Sequence, residues 1–291
     1  MRFEVGQPGW ELAPKGSAAT IRPRGIKAHQ TRLDGRKRLM LKRKEILLLV
    51  GSLVLTLPLQ SQELSVAAAA DLRPALDEIA VQFRSDSGIQ LRVSYGSSGN
   101  FFQQLRNGAP FDVFLSANTD YPNKLQASGL VALNSYYEFA RGSIVLLVSN
   151  PEVDLGQGLR LLVNPQIRKV AIADPSHAPY GQAAVSALKK EGLYDQVSAK
   201  LVTGENISQA ASFVLSGAAD AGIIAKSLAL APGAREKTKF VPIPADDYPA
   251  IQQAMIVVAA SKNQDAAMKF ESYMQSDRAK ETLKQYGFDL P

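Results

Sequence analysis

Four short stretches of the 291-residue chain could do chemistry together: AAAADL (67–72), YGSSGN (95–100), DPSHAPYGQ (174–182) and TGENISQ (203–209). Each places small or polar residues where an apolar run gives way to helical spacing. The first N–H groups of a helix lack intrahelical partners, and the helix dipole adds partial positive charge there. Such an end binds anions. One junction of this kind is an ordinary helix start; four of one character point to a shared anionic ligand.

Other chemistries have less support. The chain has no cysteine, which removes thiolate metal sites, disulfides and cysteine nucleophiles together. Its two histidines, His29 and His177, give no paired metal-ligand spacing. Ser97 and Ser98 lie in no nucleophile-elbow pattern. Asp246 and Asp247 are neighbours in a Pro-flanked loop and are expected to face solvent. His177 is expected to fill a turn, with a supporting donor role as the second choice, and Tyr136 and Tyr137 to pack near the junction of two lobes.

The elements that must position these stretches alternate. LSVAAAA reads as a strand, and Leu72, Leu76, Ile79 and Phe83 then keep helical spacing. LRVSY, FDVFLSA, GSIVLLVS, KVAIADP, AKLVTG, DAGIIA and QQAMIVVAAS read as further strands. FFQQLRN, YPNKLQASGL, GQAAVSALKKEG, NISQAASFVLSG and a closing pair within 265–288 read as helices. This alternation predicts an α/β fold with largely parallel sheets, whose ligands bind beyond the carboxyl ends of strands. The two α/β halves lack a long linker, so crossover strands between lobes are expected, with GSIVLLVS and QQAMIVVAAS the candidates.

Length fits two domains at roughly 100–200 residues each. The net charge of +6 comes from the N-terminal segment: residues 1–61 hold 12 Lys and Arg against 4 Asp and Glu, and the remainder holds 21 against 23. The body is therefore slightly acidic, and a nucleic-acid partner is not expected. Lys42, Arg43 and Lys44 precede ILLLVGSLVLTLPL and a polar QSQ, the order of a secretory signal peptide. The apolar stretch falls short of the ~20 residues of a membrane-spanning helix. Residues 40–61 are thus read as a signal peptide, with an uncleaved anchor as the alternative, and 1–39 as an N-terminal extension preceding the true start at Met40, with a disordered basic arm as the alternative.

AAAADL with its amphipathic helix, YGSSG, GAPFDVFLSA, DPSHAPYGQAA, GENISQA and the terminal KQYGF resemble, in order and spacing, the periplasmic molybdate-binding proteins of ABC importers. The likeness spans 64–291. It implies a two-lobed periplasmic-binding-protein fold of type II, in which two mixed sheets flanked by helices enclose a ligand cleft. Lobe 1 would combine 62–141 with 250–291, and lobe 2 would hold 142–249. The resemblance also implies capture of molybdate, with tungstate, for a membrane permease, by a monomer that needs no catalytic residue and no cofactor beyond its ligand. Carried over by position, the oxyanion ligands fall on Ala70, Asp71, Ser98, Tyr180 and Ile207. They bond the oxygens of the ion, so no residue would touch molybdenum itself. A tyrosine found in some members would fall on Ala225, which has no hydroxyl, and Tyr180 would replace it.

Neutral N–H and O–H donors suffice for a dianion without a proton, since hydrogen bonds to charged groups contribute about 1.5–3 kcal/mol each. Asp71 conflicts with that scheme. A carboxylate about 4 Å from the ion would cost about 4 kcal/mol per unit of anion charge at an effective dielectric of about 20. Asp71 is therefore expected to turn back as a helix N-cap, accepting from the N–H of Arg73 or Ala75. The competing reading has it accept a proton from a protonated anion such as hydrogen phosphate. A phosphate or sulfate receptor, or an enzyme using Asp71 or His177 as a base, are the rival functions.

Overall fold

A computed structural model describes residues 62–150 and 152–291; the expected extension 1–39 and signal peptide 40–61 lie outside the described residues. The chain begins in strand β1 (Glu63–Ala69), whose alanines are almost fully buried because they are flanked by strands on both sides. A single 3-10 turn, Ala70–Leu72, leads into helix α1 (Arg73–Ser87). The spacing of Leu76, Ile79 and Phe83 brings all three into the core. Fully burying each such side chain contributes about 1.5–3 kcal/mol. The helix ends at Gly88, whose φ of 72° lets its N–H reach back to the carbonyl of Arg84.

Strand β2 (Gln90–Gly96), helix α2 (Ser98–Arg106), strand β3 (Val113–Ser116), helix α3 (Asp120–Ala127) and strand β4 (Tyr137–Gly142) follow. The chain then enters β5 (Ile144–Val148) and continues through β6 (Val170–Ala173), α4 (Pro179–Lys190), α5 (Tyr194–Val197), β7 (Leu201–Gly204), α6 (Ile207–Leu215), β8 (Ala221–Ala225), α7 (Lys226–Leu230), α8 (Pro232–Arg235) and β9 (Lys239–Pro242). Strand β10 (Ile251–Val257) and helices α9 (Gln264–Met274) and α10 (Asp277–Gln285) complete it.

Two five-stranded sheets result, ordered β2-β1-β3-β10-β4 and β7-β6-β8-β5-β9. In the first, β1 runs parallel to β2 and β3, while β10 is antiparallel to β3 and β4. In the second, β6 is parallel to β7 and β8, and β5 is antiparallel to β8 and β9. Both sheets are therefore mixed rather than largely parallel. Each is parallel where helices return the chain and antiparallel where the chain arrives from the other lobe.

The chain passes between sheets at Ser143 and again within 243–250. Of the two runs expected as crossovers, GSIVLLVS does pass between the sheets, at Ser143, whereas QQAMIVVAAS lies within one sheet with the passage just before it. What reads as one apolar strand, GSIVLLVS, contributes its Gly142 to the end of β4 and its apolar part to β5. β4 was missed because Glu138 and Arg141 interrupt YYEFARG, and β9 because KFVP is only four residues long and follows directly on the polar EKT.

Candidate functional site

The β1–α1 junction faces the second lobe directly. The hydroxyl of Ser208, in the first turn of α6, donates to the carbonyl of Ala70 at 2.8 Å, and the hydroxyl of Ser227, in α7, donates to the carbonyl of Asp71 at 2.8 Å. The backbone N–H of Gly99, in the first turn of α2, donates to the carbonyl of His177 at 3.0 Å. Asn100 Nδ2 reaches Glu205 Oε1 at 3.4 Å beside the start of α6. Helix starts of both lobes therefore meet along one interface. Gly99 permits the approach: a Cβ there would lie 2.6 Å from the carbonyl oxygen of His177.

Asp71 is completely buried at this interface. Its Oδ2 accepts from the hydroxyl of Tyr180 at 2.9 Å and from the Nε2 amide of Gln253 at 2.6 Å. The same amide lies 3.2 Å from the Tyr180 hydroxyl, which closes a three-membered cluster of α4, β10 and the 3-10 turn. Asp71 Oδ1 and Gln253 Oε1 are buried and have no hydrogen-bond partner among the described residues. No ion pair among the described residues includes Asp71. Desolvation dominates, pushing its carboxyl up to about 6 from an ordinary 3.8, against the smaller opposing effects of Gln253, Tyr180 and the backbone N–H groups of Asp71 and Leu72. Burial and the neighbouring carboxylate likewise hold the Tyr180 phenol well above its usual range.

The expectation that Asp71 caps a helix fails. The intervening 3-10 turn makes Leu72 the N-cap of α1, without a side-chain cap bond, and Asp71 sits inside the turn with its carboxyl directed at the other lobe. Capping occurs elsewhere: Ser97 accepts from the N–H of Asn100 at 3.4 Å and Asn206 from that of Gln209 at 3.1 Å.

The remaining candidates are placed as follows. Ala70 is buried at the turn, with its carbonyl engaged by Ser208. Ser98 is buried in the first turn of α2, and its hydroxyl oxygen accepts from the N–H of Ala117 at 2.9 Å. Tyr180 lies in the first turn of α4, and Ile207 opens α6 beside Ser208. Ala225 ends β8, fully buried. His177 lies in a turn, 3.6 Å from Asp174 through Nε2, and acts across the interface through its carbonyl. Asp246 is exposed, but Asp247 is tucked in, 3.5 Å from Lys190 Nζ, so the pair does not face solvent together. Sequence reasoning missed Gln253, Ser208 and Ser227. Of these, only Gln253 carries a signal: with Gln252 it forms a pair of amides in a strand whose other residues are apolar.

Two lobes with mixed five-stranded sheets, joined by two adjacent passages and meeting over helix starts, define a type II solute-binding fold of the periplasmic kind. The chain belongs to the bacterial extracellular solute-binding protein family, whose sequence model matches residues 64–289. It is 36% identical to the molybdate-binding protein ModA of Azotobacter vinelandii, over 83% of this chain and 95% of that one. It is 33% identical to ModA of Rhodobacter capsulatus, over 80% and 91%. The solved periplasmic molybdate-binding protein of Azotobacter vinelandii superposes with a TM-score of 0.75 at 33% identity, covering 78% of this chain and 99% of that one. The resemblance expected from the six motifs therefore holds. No helix among the described residues is long and apolar enough to cross a membrane.

Proposed function

We propose that this protein is an extracytoplasmic receptor that captures molybdate, and tungstate with it, and delivers the ion to an ABC importer. The observation that carries this reading is the similarity to the Azotobacter vinelandii molybdate-binding protein over 95% of that protein's length. The interface offers a matching means. The N–H groups at the starts of α2, α4 and α6, with the hydroxyl of Ser98, form a set of neutral donors that an oxyanion can satisfy. On this reading Ala70, Asp71, Ser98, Tyr180 and Ile207 surround the ion's oxygens, and the domain limits are 62–141 with 250–291 for one lobe and 142–249 for the other. Export uses the signal peptide at 40–61, and the receptor works as a monomer without cofactor or catalysis.

Ligand affinity that closes the lobes must differ between open and closed forms, since binding shifts an equilibrium only through differential affinity. Donors of both lobes, at the starts of α2 in one and of α4 and α6 in the other, surround one ion only when the lobes meet, which supplies that difference, while the interlobe bonds to Ala70, Asp71 and His177 set how readily the lobes close. Calorimetry on the purified protein with molybdate, tungstate, sulfate and phosphate tests the reading. One-to-one binding of unmodified molybdate and tungstate is expected; heat with sulfate or phosphate alone would overturn it.

A further inference from the structure

The donor scheme leaves a carboxylate unexplained. Asp71 is completely buried, and Oδ2 already accepts two hydrogen bonds. Oδ1 is buried with nothing donating to it, and Gln253 Oε1 is in the same condition. Among the described residues no cation pairs with the carboxylate. Arg73, two residues on, lies 4.3 Å over the ring of Tyr95 instead, and Asp77 in the next turn accepts from the Tyr95 hydroxyl. From the second lobe, His177 pairs with Asp174, and the Lys226 side chain lies against the position of Gly287. Ser208 and Ser227 are spent on backbone carbonyls, and Tyr180 is a neutral donor, with Tyr248 a further titratable group acting on it. Every element packed on the turn thus presents neutral groups or cations engaged elsewhere.

A dianion entering this interface beside an ionised Asp71 would add like charge to a group that nothing neutralises. A neutral carboxyl reverses the interaction, because its O–H is a donor. The place for that proton is Oδ1, which has no hydrogen-bond partner among the described residues. Resting on the oxyanion reading above, we propose that Asp71 makes the site bind its tetrahedral oxyanion together with one proton, taken from solvent and held on Oδ1, so that the carboxyl becomes a further donor to the ligand. The balance is simple: carboxylate, proton and dianion combine to a carboxylic acid hydrogen-bonded to the dianion. Burial already makes the carboxyl reluctant to ionise, with its titration lying near pH 6 before any anion arrives. A dianion beside it raises that further.

The test is calorimetric titration of the full chain with sodium molybdate between pH 6.5 and 8.5, each pH in two buffers of different ionisation enthalpy. Uptake of about one proton per molybdate at pH 8 is expected, with the apparent Kd rising about tenfold per pH unit. The D71N variant, whose amide can donate without titrating, is expected to take up no proton and to bind more tightly than the wild type at pH 8.5. Wild-type binding of molybdate at pH 8 without proton uptake overturns the inference and leaves the oxyanion reading standing; this readout does not depend on the variant's folding. Absence of molybdate heat at every pH overturns both. Binding of phosphate alone, which brings its own proton as hydrogen phosphate, overturns the molybdate reading; it supports the shared proton if uptake at pH 8 is nil and D71N no longer binds.

Discussion

Tyr180 donates its phenolic proton to Asp71 Oδ2 over 2.9 Å, linking the first turn of α4 in one lobe to the β1–α1 turn of the other. Both side chains are buried, and Gln253 from β10 joins them. The bond spans 109 positions of sequence and crosses the lobe interface, so its strength depends on lobe closure and on the charge of Asp71.

That charge has a cost readable in stability. The Asp71 carboxyl is raised from 3.8 to about 6, so the folded state holds its proton more tightly than the unfolded chain. The associated stability is fully present below the unfolded value and is lost as pH rises through about 6, a difference of up to about 3 kcal/mol. D71N is therefore expected to melt several degrees above the wild type at pH 8, and the two are expected to converge near pH 4. Scanning calorimetry without added oxyanion measures this. An equal offset at both pH values would mean that the buried charge is not the source.

Tyr180→Phe removes one of the two donors on Oδ2. Because that donor favours the ionised form, the folded-state titration of Asp71 should move above its value of about 6. Loss of the bond itself costs about 1 kcal/mol, and more at pH 8, where an ionised carboxyl would keep Gln253 as its one side-chain donor among the described residues. A carboxyl-carbon NMR titration follows the shift directly; an unmoved midpoint would contradict the assigned donor.

Gly99→Ala separates closure from folding. Its new Cβ would lie 2.6 Å from the His177 carbonyl oxygen and 2.9 Å from the Tyr121 hydroxyl. The first of these contacts exists only with the lobes together, so the variant should fold while closing poorly. Molybdate affinity is expected to fall by more than about tenfold, which is about 1.4 kcal/mol, with a smaller loss of Tm. Unchanged affinity would show that binding does not need this approach.

Ser208→Ala and Ser227→Ala each delete one hydroxyl donating to a carbonyl of the opposite lobe. A neutral hydrogen bond contributes about 1 kcal/mol net, so each variant should bind molybdate about fivefold more weakly. The double variant is expected to be roughly additive if the two bonds act independently on closure, and calorimetry on the three proteins decides it.

Gly142→Ala probes the cluster from its other side. A Cβ there would fall 2.1 Å from the Tyr180 hydroxyl and 3.0 Å from Gln253 Nε2. Overpacking of this kind costs about 1–3 kcal/mol. The expected readout is a lower Tm with the Asp71 titration displaced, because both donors must shift; a stable protein with an unmoved titration would place the crowding elsewhere.

Local pattern was enough for much of this molecule. Apolar runs and helical spacing located eight of the strands and the longer helices, because a strand or helix buries residues at a period written in its own sequence. The six motifs carried the family, and the small residues at the helix starts marked where the lobes would face each other. β4 and β9 escaped because their places are fixed by partners, β10 and β5, and not by their own apolar content. The fate of Asp71 was equally out of reach. A carboxylate before a helix looks like a cap whenever only its neighbours are considered, and local capping did hold for Ser97 and Asn206. At Asp71 the inserted 3-10 turn redirects the side chain, and its partners come from 109 and 182 positions away. Sequence determined that helix starts of two α/β lobes would face one another; only the tertiary structure decided that a buried carboxyl without an ion-pair partner among the described residues lies between them, because that follows from which distant donors the packed lobes bring within reach.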